Sequence, residues 1–212
     1  CFPWFGSKTD QPSHGLVRQA EWELEQIELL KESAIVRFCL DGNVIGLDQM
    51  MLRVSYHMSD SLDINFYVEN LADKPFEFQF AFHSYFLIGQ LSELHIEGLS
   101  QARYYNQLSK QTETDTNPFI FIAEETDRIY QNKQNLKLVD RYYEREISIL
   151  ADELADTVIW NPNRSKSLRL LDLLSTEFQH FVCIEPAQIN HLHCIEPNEK
   201  WIGSMRIAVK NI

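Results

Sequence analysis

Residues 62–68 read Leu-Asp-Ile-Asn-Phe-Tyr-Val, and residues 76–82 read Phe-Glu-Phe-Gln-Phe-Ala-Phe. In the first run Leu62, Ile64, Phe66 and Val68 alternate with Asp63, Asn65 and Tyr67, the period-2 signature of a half-buried strand. In the second, Phe76, Phe78, Phe80 and Phe82 alternate with Glu77, Gln79 and Ala81. Between them Asn70 to Pro75 (NLADKP) carries turn chemistry. Two such runs joined by so short a turn predict a β-hairpin. The pattern continues outward. Strands are predicted at 22–30, 34–40, 51–58, 94–98, 118–123, 136–139, 146–150, 157–160, 181–185 and 201–209, with one short helix at 166–174. Many short strands without a repeated strand–helix alternation predict an antiparallel β-sandwich rather than a doubly wound parallel sheet. No linker or repeat divides the chain, so one domain over 1–212 is expected.

The bulk properties are those of a globular chain: 212 residues, 44% apolar and 24% charged. Acidic residues number 31 and basic ones 19, for a formal net charge of −12. That balance argues against nucleic acid or an anionic membrane as a partner. A small anionic ligand stays compatible with it, because screening over about 8 Å lets a local cation cluster dominate its surroundings. No apolar run reaches the roughly 18 residues of a membrane span. The four cysteines, Cys1, Cys39, Cys183 and Cys194, form neither a CxxC nor a dense framework, which points to a reducing, cytoplasmic setting. The opening Cys1-Phe-Pro-Trp-Phe-Gly6 reads as the middle of a structured segment. The sandwich is therefore expected to lack N-terminal strands, with an unpaired edge or an apolar patch near residues 1–6.

Several residues could carry chemistry. Continuing the alternation places His83 opposite the phenylalanine row, among Glu77, Gln79 and Ala81, either as a groove residue or as a histidine on a surface strand. Phe181-Val-Cys-Ile-Glu185-Pro186 is an apolar strand ending in a carboxylate. Partial desolvation there would make Glu185 a usable base; full exposure would make it an ordinary strand-end glutamate. Ser13, His14 and Arg18 lie in the stretch Pro12-Ser-His-Gly-Leu-Val-Arg18, a loop marked by its proline and glycine, and the arginine fork suits phosphate or hydroxyl recognition or a local ion pair. His191 and His193 share a strand face, but nothing fixes a third metal ligand. Cys183 reads as a packed, inert thiol.

FPWFG (2–6), SHGLVR (13–18) followed by EW, FHSYF (82–86), ETDRIYQN (125–132), DTVIWNP (156–162) and VCIEP (182–186) occur in this order along the chain. Together they resemble the hexose-6-phosphate mutarotases, the glucose-6-phosphate 1-epimerase branch of the aldose 1-epimerase family. The resemblance implies a galactose-mutarotase-like antiparallel β-supersandwich with a sugar cleft on one sheet. It implies His83 and Glu185 as the catalytic acid and base, and Arg18 and Asp127 as substrate contacts beside Ser13 and His14. The tips of His83 and Glu185 would then lie roughly 4–7 Å apart, flanking one hemiacetal. It further implies a sugar phosphate as the partner, no metal or redox cofactor, and a monomer or weak dimer. The chain departs from the family at Ser13 (usually Gln), Asn163 (usually Trp) and Asn198 (usually Gly), and starts after the family's RGGIP segment. Non-catalytic carbohydrate binding and mutarotation of a neutral aldose are the rival readings.

Overall fold

The computed structural model describes residues 1–132, 135–171 and 173–212. Its strands are all paired antiparallel where a register is defined, in sheets of eight and seven strands. The chain divides into two compact units.

The first unit comprises Cys1–Phe82, Ala151–Leu154 and Gln188–Ile207. Strands β1 (Glu23–Leu29), β2 (Ala34–Asp41), β3 (Met50–Met58) and β4 (Ser61–Asn70) form a consecutive antiparallel meander, with Val36 opposite Tyr56 and Val54 opposite Phe66. Strand β5 (Phe76–Ala81) does not continue it. It belongs to the seven-stranded sheet, whereas β4 belongs to the eight-stranded one. The expected hairpin is thus an arch. The physical reason is that both runs present an apolar face, and those faces pack against each other instead of lying side by side. Phe66 packs on Phe80 at a centroid distance of 4.8 Å, and Trp201 packs on Phe78 at 5.1 Å. Phe78 is fully buried, a burial that contributes about 2–3 kcal/mol.

Asn70 turns this corner. Its buried amide donates to the carbonyls of Lys74 (2.9 Å), Ile195 (3.2 Å) and Glu196 (3.3 Å), and its Oδ1 accepts from the Ala72 amide at 3.0 Å. Substituting Asn70→Ala strands these buried partners, a cost of about 2–3 kcal/mol. The expected result is a fall in Tm of about 5–10 °C in a thermal scan. An unchanged Tm would show that the arch is held by its aromatic contacts alone.

The expected open edge near the first residues is not found at Phe2. Phe2 is fully buried, Cys1 and Pro3 accept from the Ala81 and Gln79 amides, and Phe2 exchanges hydrogen bonds with the His14 and Leu16 backbones. Gly15 permits this close approach, since a Cβ at its φ of +83° would meet the Phe2 carbonyl oxygen at 1.9 Å. The exposed apolar edge is instead β1, where Leu24, Ile27 and Leu29 face solvent.

The second unit comprises His83–Leu150, Ala155–Ala187 and Ala208–Ile212. It holds β6 (Tyr85–Leu87), β7 (Leu94–Glu97), β8 (Arg103–Asn106), β9 (Gln111–Thr114), β10 (Thr126–Gln131), β11 (Leu136–Asp140), most of β12 (Arg145–Asp152) and β13 (Asp156–Asn161). The last two strands, β14 (Phe181–Ile195) and β15 (Lys200–Asn211), contribute residues to both units. Strands β7, β11 and β12 form one ladder, and β9, β8, β10, β13 and the first half of β14 form another, with β6 beside β14. Residues 118–123 make only an isolated bridge, Ile120 to Ile96. The helix, α1 (Asn163–Ser167), starts earlier and ends sooner than expected. Leu168, Leu171 and Leu174 remain exposed, so a longer helix would gain no burial from them. Asp172, within the expected helix, lies outside the described residues.

Candidate active site

Glu185 is set by its strand. Residues 181–187 of β14 are almost wholly buried, and β13 pairs along one edge with Val158 opposite Glu185 and Trp160 opposite Cys183. On the other edge β6 runs only as far as Tyr85 opposite Cys183. Past that point the connecting segment after β5 takes over, and the Ile184 amide donates to the Ser84 carbonyl at 3.3 Å. This contact brings the neighbouring His83 to Glu185. Strand β5 ends at Ala81, so His83 is not a face-mate of Glu77 and Gln79; it sits in the segment between two strands.

His83 Nδ1 lies 3.3 Å from Glu185 Oε1. That is contact distance, nearer than the separation expected for two groups straddling a sugar. Glu185 is 1% exposed, and its second oxygen, Oε2, is buried with no hydrogen-bond partner among the described residues. Burial, reinforced by the Asp127 charge, pushes its carboxyl up to about 8. His83 keeps a partly exposed ring, stacked on Tyr85 at 5.0 Å with the planes 8° apart.

Antiparallel register places further groups on this face. Tyr85, Cys183, Trp160 and Asp127 stand opposite one another across β6, β14, β13 and β10, and cross-strand partners share a face. Glu185 lies on the same face, two residues beyond Cys183. Tyr85, Trp160 and Phe181 form an aromatic cluster, with Phe181 at 5.4 Å from Tyr85 and 5.9 Å from Trp160. Asp127 accepts from the Gln107 side chain at 2.6 Å, and Lys166 Nζ stands 3.9 Å from its other oxygen and 5.7 Å from the Trp160 ring centroid. Burial raises the Asp127 carboxyl, while Gln107 and Lys166 oppose that shift.

His83, Glu185 and Asp127 are therefore gathered within the second unit. Ser13, His14 and Arg18 belong to the first. There Arg18 Nε donates to the Ser13 carbonyl at 3.1 Å. His14 Nδ1 accepts from the Gly6 amide at 3.3 Å, and burial is the chief cause that lowers its pKa to about 4. Tyr85, Gln107, Trp160, Phe181 and Lys166 escaped the sequence reading as site residues. Trp160 had a signal in its motif, and Tyr85 sits two residues from His83. Gln107 and Lys166 had none, because only the fold brings them to Asp127.

A buried carboxylate in contact with a partly exposed imidazole is a pair able to exchange protons with a bound molecule. The chain matches the aldose 1-epimerase family over residues 1–208, and it belongs to that family. A Haemophilus influenzae protein provisionally named glucose-6-phosphate 1-epimerase is 31% identical over 198 residues, covering 91% of this chain and 66% of its own length. A Cenchrus ciliaris protein with the same provisional name is 24% identical, covering 98% of this chain and 68% of its own. The chain thus spans about two thirds of the length of these relatives. Among solved structures, a provisionally assigned mutarotase of Salmonella typhimurium, YeaD, superposes with a TM-score of 0.92 at 21% identity, over 100% of this chain and 73% of that one. The protein HI1317 superposes at 0.83 with 27% identity, over 99% and 72%. The fold is galactose-mutarotase-like.

Proposed function

We propose that this protein interconverts the α and β anomers of a hexose 6-phosphate by acid–base ring opening and closure. The observation that carries the reading is Glu185, a buried carboxylate with one oxygen without a hydrogen-bond partner among the described residues and the other against His83. Such a group costs stability, and groups held at that cost cluster at functional sites. Opening a hemiacetal needs a base at the C1 hydroxyl and an acid at the ring oxygen. Glu185 takes the hydroxyl proton while protonated His83 donates to the ring oxygen. The C1–ring oxygen bond breaks, the aldehyde turns about C1–C2, and closure on the other face returns both protons. Admitting the hemiacetal parts the pair from 3.3 Å to roughly 4–7 Å. His83, in an irregular segment and partly exposed, is the member that can rotate. The Tyr85, Trp160 and Phe181 rings offer an apolar surface to the sugar carbons, and Asp127 offers an acceptor to a hydroxyl.

The phosphorylated substrate is supported by the names of the relatives and by the motif SHGLVR, whose Arg18 is of the type that binds phosphate. Comparing mutarotation of glucose 6-phosphate with that of glucose tests it. The expected result is a higher kcat/KM for the phosphorylated sugar, declining as salt screens the attraction. Equal or higher kcat/KM for glucose would make the enzyme a mutarotase for neutral aldoses.

A further inference from the structure

We propose that His83, Cys183 and Glu185 also form a binding site for a thiophilic divalent cation of the Zn²⁺ type, which competes with the sugar. Each residue offers one ligand atom, and the three atoms lie within 4.8 Å of one another. Tetrahedral zinc, with bonds of about 2.0–2.3 Å to nitrogen, oxygen and sulfur, sets neighbouring donors about 3.3–3.7 Å apart. His83 and Glu185 already meet that spacing at 3.3 Å. The remaining adjustment is of the order of 1 Å.

The fold, rather than chance proximity, sets this donor group. Cys183 and Glu185 are two residues apart on one face of β14, and the Ile184–Ser84 hydrogen bond fixes the segment that carries His83. A second observation points the same way: Glu185 Oε2 is buried without a hydrogen-bond partner among the described residues, so a carboxylate lone pair there is unused. Charge supports it as well. One thiolate and one carboxylate neutralise a divalent cation, so the loaded site carries no net charge into a buried region. The nitrogen, sulfur and oxygen donor set selects against Mg²⁺ and Ca²⁺, which demand more numerous oxygen ligands. Binding displaces the Cys183 thiol proton to solvent. Three protein ligands leave a fourth position, reached from the side where the His83 ring is exposed. Cation and sugar cannot use Glu185 and His83 together.

Binding itself does not depend on the proposed activity; competition does. The reduced, metal-free protein is titrated with Zn²⁺ against a chromophoric chelator, and with Co²⁺ followed by absorbance. One equivalent should bind at micromolar concentration, with a thiolate-to-cobalt charge-transfer band in the near ultraviolet. Cys183→Ser should remove the band and weaken Zn²⁺ at least tenfold. His83→Gln, in an irregular segment where folding is least at stake, should also weaken it at least tenfold. Cys194→Ser, beside the surface donors His191 and His193, should change neither. Absence of micromolar binding, a band that survives Cys183→Ser, or one that vanishes in Cys194→Ser overturns the site. Zn²⁺ bound at the site without slowing glucose 6-phosphate mutarotation overturns the competition. An inactive parent protein would count against the proposed function and leave the cobalt spectrum to decide the cation site.

Discussion

Replacing Glu185 by Gln is expected to lower kcat/KM for anomer exchange by about 10²-fold or more, with the fold intact. The amide has the shape of the carboxylate but no basicity, so the loss reports proton transfer and not packing. Stability should move the other way. The folded-state pKa of Glu185 is raised to about 8 from an ordinary 4.5. Between those two values the folded protein holds a proton that the unfolded chain has released. Stability contributed by this group is therefore complete below pH 4.5 and is lost as pH rises towards 8. Gln removes that dependence. At pH 8–9 the Glu185→Gln protein should be more stable than its parent, by an amount on the order of 1–3 kcal/mol. A less active yet more stable variant is what a functional carboxylate held against its solvation preference produces. An unchanged rate would remove Glu185 from the mechanism, and lower stability across the pH range would show its carboxylate to be structural.

His83→Ala is the second large effect, about 10²-fold in kcat with a smaller change in KM, because the ring acts on the ring oxygen as the bond breaks. Added imidazole should restore part of the rate, since the deletion leaves space beside Glu185 Oε1. A merely structural histidine would show no such rescue. Glu185 acts as the base only when ionised, and its carboxyl is raised to about 8, so the parent kcat/KM should increase as pH rises towards that value. A rate that stays flat over this range would mean that Glu185 is not the base.

The expected β architecture follows from period-2 patterns that survive in the fold: β2, β3 and β4 fall within two residues of the runs that announce them. The same patterns could not tell an arch from a hairpin. Alternation states which side chains share a face, not which sheet the next strand joins, and the deciding interactions are tertiary ones, the Phe66–Phe80 packing and the Asn70 amide bonds to residues 195 and 196. Strands β8, β9 and β10 were missed because Arg103–Asn106, Gln111–Thr114 and Thr126–Gln131 are polar or mixed, and their partners supply the pairing. At the site, His83 and Glu185 were legible as residue types within motifs. Their contact was not, because it arises where β6 stops two residues short of Glu185 and leaves that edge to residues 83 and 84. Asp127 reaches the same face through two successive registers, β14 to β13 and β13 to β10, which no local pattern encodes.

The most direct measurement is two-dimensional exchange NMR of glucose 6-phosphate with catalytic amounts of the unmutated protein. The account predicts exchange cross-peaks between the α and β anomeric protons under conditions where buffer alone gives none. Anomer exchange no faster than in buffer, for glucose 6-phosphate and for glucose alike, would contradict it and leave a sandwich that binds carbohydrate without turning it over.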